Sequence, residues 1–128
     1  MRGKTILAVD DDEMILELIK IVVEDAKGTF IGADGAGACL IALERTQPDL
    51  LIFDIKMQGL DGLELLARIR EQFPKLKSKV VFLTAQKSGD AIDRGEELGC
   101  DGFILKPIDP RRLADRIREM FVPTTYPE

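Results

Sequence analysis

Residues 48–62 read PDLLIFDIKMQGLDG, and the reading of this stretch decides the fold. Pro48 stops the helical pattern before it. Leu50, Leu51, Ile52 and Phe53 are continuously apolar, as in a short strand buried on both faces. Such strands belong to a parallel sheet with helices on each side. Asp61-Gly62 could turn a hairpin in isolation, but Glu64 follows Asp61 in a capping-box arrangement, so the pair opens a helix instead. Asp54 therefore falls at the carboxyl end of a buried strand.

The same grammar extends in both directions. Ile6 to Val9, Val80 to Leu83 and Phe103 to Leu105 are further apolar runs, and Thr29-Phe30-Ile31 is a weaker strand suited to a sheet edge. Amphipathic stretches alternate with them. Ile15, Leu18, Ile19 and Val22 share one helical face, as do Ala36, Leu40 and Leu43, then Leu66, Ile69 and Phe73, and finally Leu113, Ile117 and Phe121. Asp109 and Pro110 supply the N-cap and first position of the last helix. A fourth helix, from about Ser88 to Leu98, has few apolar anchors (Ala91, Ile92, Leu98) and an interior Gly95. Gly28, Pro48, Pro74 and Gly99 stand where helices should stop. The alternation predicts an α/β, (βα)5 doubly wound three-layer sandwich, its five-stranded parallel sheet in the flavodoxin-like order 2-1-3-4-5. One domain is expected over residues 1–122, with 123–128 a C-terminal tail or the start of a linker.

Composition bounds the chemistry. The 128 residues hold one domain with a real core, 45% hydrophobic and 32% charged, with a net charge of −5 that argues against general nucleic-acid binding. No apolar run approaches the roughly 18 residues that span a bilayer, and Asp10-Asp11-Asp12 follows the first run at once, against a secretory signal. The expected address is cytoplasmic, with Cys39 and Cys100 as small reduced side chains. The chain has no histidine, which excludes Ser-His-Asp and Cys-His mechanisms and His-ligated zinc.

Polar residues gather at one rim of this scheme. Asp10-Asp11-Asp12 ends strand one, Asp54 strand three and Thr84 strand four, and Lys106 follows strand five. Ligands of open α/β sheets bind at the carboxyl ends of strands. Two carboxylates about 4 Å apart repel by about 4 kcal/mol at an effective dielectric of 20, so converging acids need a cation. A hard, oxygen-seeking ion such as Mg²⁺ fits. A lone acidic triplet would be a solvated turn; a strand-end Asp opposite it changes that reading.

In the segments ILAVDDDE (6–13), PDLLIFDIKMQGLDG (48–62), VVFLTA (80–85) and LGCDGFILKPID (98–109), the chain resembles the receiver domains of two-component response regulators, over about residues 4 to 121. The resemblance implies that Asp54 accepts a phosphoryl group. It implies that Asp11, Asp54 and the Lys56 backbone carbonyl ligate Mg²⁺ (or Mn²⁺), with Asp10 acting mainly through a metal-bound water. Asp12 matches an acidic position that is not a ligand. Thr84 and the Ala85 N–H would meet phosphoryl oxygens, Lys106 would pair with Asp54 or its phosphate, and Lys106–Pro107 would be cis. Phe103 would be the switch aromatic, moving inward as Thr84 shifts. The implied donor is a sensor histidine kinase or a histidine phosphotransfer domain. The effector stays open, and a homodimer through helix 4, strand 5 and helix 5 is allowed, where Asp101, Arg111 and Arg116 resemble dimer-contact charges of some subfamilies. Such a domain is not an enzyme beyond its own phosphotransfer and dephosphorylation. Gln58 departs from the family, which usually has Pro there, so a less rigid loop is expected; Lys56 and Gln86 occupy positions that tune acyl-phosphate lifetime.

Three other readings compete. An aspartyl-phosphate phosphatase of the haloacid-dehalogenase type would place a second Asp where Lys56 stands. A flavin or nucleotide module could use Gly35-Ala36-Gly37, but Leu40 replaces the third glycine, and small residues for close helix packing explain the motif more simply. An adaptor with a vestigial site sits poorly with an intact Asp11, Asp54, Thr84 and Lys106.

Overall fold

The computed structural model describes residues 1–85 and 89–122. Elements alternate strictly: β1 (Thr5–Val9), α1 (Glu13–Asp25), β2 (Thr29–Ala33), α2 (Ala36–Arg45), β3 (Leu50–Asp54), α3 (Gly62–Gln72), β4 (Lys79–Thr84), α4 (Gly89–Glu97), β5 (Gly102–Leu105) and α5 (Pro110–Met120). The five strands are parallel in the order β2-β1-β3-β4-β5, the doubly wound flavodoxin-like arrangement expected. Strand order reverses between β1 and β3, so the crevice at their carboxyl ends is the natural binding place.

The apolar runs are continuous because successive side chains feed opposite layers. Leu7, Val9, Leu51, Phe53, Val80 and Phe82 point to one side, against Cys39 and Leu43 of α2 and Leu65, Leu66 and Ile69 of α3. Ile6, Ala8, Leu50, Ile52, Val81 and Leu83 point to the other, against Ile19, Val22 and Val23 of α1 and Leu113 and Ile117 of α5. Strand β2 is one of the two edges, with only Ala33 fully buried.

Capping follows the local sequence. Asp12 accepts from the Met14 N–H (2.9 Å), Asp61 from the Glu64 N–H (2.8 Å) and Asp109 from the Arg111 N–H (2.9 Å), each satisfying one orphan donor of a first turn. Phe73 and Phe121 are C-caps rather than helical residues, though both pack against the core. The Lys106–Pro107 bond is cis, as the resemblance implied.

Some expectations need correction. On α1 the fully buried set is Ile19, Val22 and Val23, while Ile15 and Leu18 are half-buried. Helix α4 runs Gly89–Glu97; Leu98 lies just beyond it, and Ser88 lies outside the described residues. After α1 the left-handed residue is Lys27 (φ 67°) rather than Gly28; Gly28 is needed for space, since a Cβ there would come 3.0 Å from Val23 and 3.2 Å from Met1. Gly35 and Gly37 do not serve close packing, because a Cβ at either would meet nothing within 4 Å. Gln86 and the tail 123–128 also lie outside the described residues.

Candidate functional site

The chain's polar cluster forms where β1 and β3 end side by side. Register pairs Val9 with Phe53, so Asp10 and Asp54 leave adjacent strands at the same height. Carboxylate oxygens of Asp10, Asp11 and Asp54 all lie within 4.8 Å of one another. Asp10 is wholly buried, Asp54 nearly so, and Asp11 exposed. Lys106, entering from the end of β5, sets its ammonium 3.1 Å from Asp54 Oδ2 and 3.7 Å from Asp10 Oδ2. Among the described residues, one ammonium against three carboxylates leaves the cluster short of positive charge.

Asp10 feels that deficit most. Its Oδ1 accepts from the Asp12 N–H at 2.9 Å, but its Oδ2 is buried without a hydrogen-bond partner among the described residues. Burial pushes its carboxyl up to about 6; the Asp12 N–H pulls it down, Asp54 pushes it up, Lys106 pulls it down and Asp11 pushes it up. An orphaned buried carboxylate oxygen facing two more acids is the donor chemistry that a hard divalent cation satisfies. Asp10, Asp11 and Asp54 thus fit the metal that the sequence implied.

The remaining expected residues fall at different distances from this centre. Lys56 donates its N–H to Asp54 Oδ1 at 3.2 Å while its side chain is exposed. Asp54 pairs with Leu83, so Thr84 ends β4 and Ala85 follows it immediately beyond the acid; Thr84 is buried, Ala85 exposed, and the Thr84 carbonyl accepts the Lys106 N–H at 2.8 Å. Phe103 is not at the acidic cluster. It lies half-buried on the α4 side of β5, its ring 5.8 Å from that of fully buried Phe82, which in turn lies 6.0 Å from Phe53. Aromatic contacts therefore run from Phe103 to the residue before Asp54.

Two features escaped the sequence reading. The Gln58 N–H donates to Asp11 Oδ2 at 3.1 Å, tying the β3–α3 loop to the acidic turn after β1. Arg70 of α3 donates to the Leu98 carbonyl (3.0 Å) and the Gly99 carbonyl (3.1 Å), holding the C-terminal end of α4. Backbone partners carry almost no residue-type signature, so neither bond was visible beforehand; a position 58 that is not proline allows the first, and a basic residue in the last turn of α3 was a hint of the second. Both cysteines are free thiols; burial pushes Cys39 up to about 12 and is the main cause raising half-buried Cys100. Among the described residues no helix is long and apolar enough to cross a membrane.

The chain is similar to known proteins. A family model described as the response regulator receiver domain matches residues 6–118. The phosphate regulon transcriptional regulatory protein PhoB of Pseudomonas aeruginosa is 33% identical over 92% of this chain and 52% of its own length. The alkaline phosphatase synthesis transcriptional regulatory protein PhoP of Bacillus subtilis is 34% identical over 91% of this chain and 48% of its own. The chain thus spans about half the length of these curated relatives. Among solved structures, a CheY-like response regulator receiver domain protein from Methanospirillum hungatei superposes with a TM-score of 0.83 at 34% identity, covering 91% of both chains. Chemotaxis protein CheY4 of Vibrio cholerae, at 24% identity, shares the fold with a TM-score of 0.86 over 92% of this chain and 98% of its own. With the family model covering most of its length and this fold beneath it, the chain belongs to the response regulator receiver domain family.

Proposed function

We propose that the chain is a phospho-accepting switch in which Asp54 takes a phosphoryl group from a phosphohistidine of a partner protein. The observation that carries this reading is the Asp54 carboxylate, nearly buried, 3.1 Å from the Lys106 ammonium and grouped with Asp10 and Asp11. An Asp54 oxygen attacks phosphorus in line, the P–N bond of the donor breaks, and the donor imidazole leaves to take a proton from solvent. These 128 residues hold no histidine, so the phosphohistidine lies outside them, on a sensor histidine kinase or a histidine phosphotransfer domain.

Phosphoryl transfer calls for positioning and charge neutralisation more than covalent assistance. Lys106 neutralises Asp54 and then an oxygen of the transferred group. Thr84 and the Ala85 N–H, at the end of β4, donate to the others. Asp11, Asp54 and the Lys56 carbonyl would hold Mg²⁺ or Mn²⁺, with Asp10 acting mainly through a bound water, and the ion would supply the remaining positive charge for the phosphoryl oxygens. Water later hydrolyses the acyl phosphate, and no other substrate is turned over.

The signal leaves through Thr84, Phe103 and the surface of α4, β5 and α5. Helix α4 has Gly95 as its buried residue, which suits an element that repacks at small expense. Exposed Leu105 on β5 gives that surface an apolar contact for an effector or a second copy. A cytoplasmic setting, where such donors meet their acceptors, completes the reading.

Incubation with acetyl phosphate and Mg²⁺, followed by intact mass spectrometry, tests it. Wild type should gain one hydroxylamine-labile phosphoryl group and Asp54→Ala none. Incorporation that persists in Asp54→Ala, or is absent from wild type, overturns the assignment.

A further inference from the structure

The β3–α3 loop does more than connect two elements. Its base is closed by the Gly62 N–H donating to the Ile55 carbonyl at 2.8 Å, and its start by the Lys56 N–H on Asp54 Oδ1 at 3.2 Å. Between them the Gln58 N–H reaches across to Asp11 Oδ2 at 3.1 Å, between residues 47 positions apart in sequence. Asp11 is the exposed member of the acidic cluster. Repulsion from Asp10 and Asp54 drives its side chain toward solvent, and a long-range hydrogen bond to a fixed backbone amide opposes that drift. Proline, which receivers usually carry at this position, has no N–H and cannot make the bond.

We propose that the Gln58 backbone N–H is a positioning group for the cation site: it holds the Asp11 carboxylate within the cluster before a hard divalent ion arrives. The proposal deepens the phosphoacceptor reading and rests on its metal site. The group that acts is the amide, so the glutamine side chain is dispensable. Unlike proline, this residue links the loop to the first strand's acidic turn, which substitutes a tether for ring rigidity.

Mn²⁺ binding, read from the electron paramagnetic resonance signal of the free ion and competed with Mg²⁺, provides the test. Gln58→Ala keeps the N–H and should bind within about twofold of wild type. Gln58→Pro deletes it and should bind about five- to tenfold more weakly, the scale of one exposed hydrogen bond to a charged group. A second measurement does not depend on proline being accommodated. In metal-free protein, the Gln58 amide should exchange with solvent more slowly in wild type than in Asp11→Ala. Equal Mn²⁺ affinity for wild type and a folded Gln58→Pro, or a Gln58 amide indifferent to Asp11→Ala, overturns the proposal. Should wild type bind no Mn²⁺, the metal reading fails, while amide exchange still reports separately on the bond.

Discussion

Replacing Asp10 by asparagine should make the metal-free protein more stable at neutral pH while removing its response to Mg²⁺. Asp10 is wholly buried, its Oδ2 lacks a hydrogen-bond partner among the described residues, and burial holds its carboxyl at about 6. That is roughly two pH units above an ordinary aspartate, which at about 1.4 kcal/mol each makes ionised Asp10 about 3 kcal/mol less favourable in the fold than in the unfolded chain. Because the folded value is the higher one, this contribution to stability is fully present below about pH 4 and is lost as pH rises through about 6. Asparagine removes the charge and keeps an oxygen for the Asp12 N–H, but it buries an amide NH₂ whose desolvation offsets about 1–2 kcal/mol. The net expectation at pH 7.5 is a gain of about 1–2 kcal/mol, or about 5 °C in Tm for a domain of this size. Thermal melts followed by far-UV circular dichroism in EDTA suit a chain without tryptophan. Asp10→Asn should melt above wild type at pH 7.5, and the difference should shrink or reverse at pH 4.5. Mg²⁺ should raise the wild-type Tm by mass action and leave the variant nearly unmoved. A variant less stable than wild type at pH 7.5 without metal, or a pH-independent difference, would refute the reasoning.

Three more perturbations follow from the same geometry. Gly62→Ala puts a Cβ into the Asp54 carbonyl oxygen and 3.2 Å from the Ile55 Cα, both backbone, so α3 must retreat from the phosphoacceptor strand; urea titration should show a loss of at least about 2 kcal/mol, and a midpoint equal to wild type would contradict it. Gly95→Ala sets a Cβ 2.7 Å from Phe103 Cζ, so overpacking outweighs the gain in helix propensity and the variant loses about 1 kcal/mol. In a Phe103→Ala background the same change should instead stabilise, and a double-mutant cycle with no coupling would remove the claimed contact. Lys106→Met leaves Asp54 and Asp10 without their shared ammonium; it should lower stability by about 1–3 kcal/mol at pH 7.5 in EDTA and by less at pH 5, where Asp10 takes up a proton. Equal losses at the two pH values, measured by the same melts, would show that the pair does not set the stability.

The order of elements was legible because each strand announces itself. Leu50 to Phe53 is apolar at every position since both faces of β3 are covered, and only a parallel sheet with helices on each side covers them. Asp12, Asp61 and Asp109 mark helix starts through bonds spanning a few residues, so local sequence suffices to place them. Once the topology was fixed, Asp10, Asp54, Thr84 and Lys106 had to share a rim, because all four end or follow strands at the same edge. Contacts that depend on the third dimension were not legible. The tertiary fold alone decided that Asp10 Oδ2 lacks a hydrogen-bond partner among the described residues, that the Gln58 amide meets Asp11, that Arg70 holds the end of α4, and that Phe103 lies against Gly95. The Gln58 and Arg70 bonds join segments 47 and 28 positions apart in the chain, and both act through backbone groups that nearly every residue type carries. Residue type records what a position buries or caps nearby; it does not record which distant backbone will stand across from it.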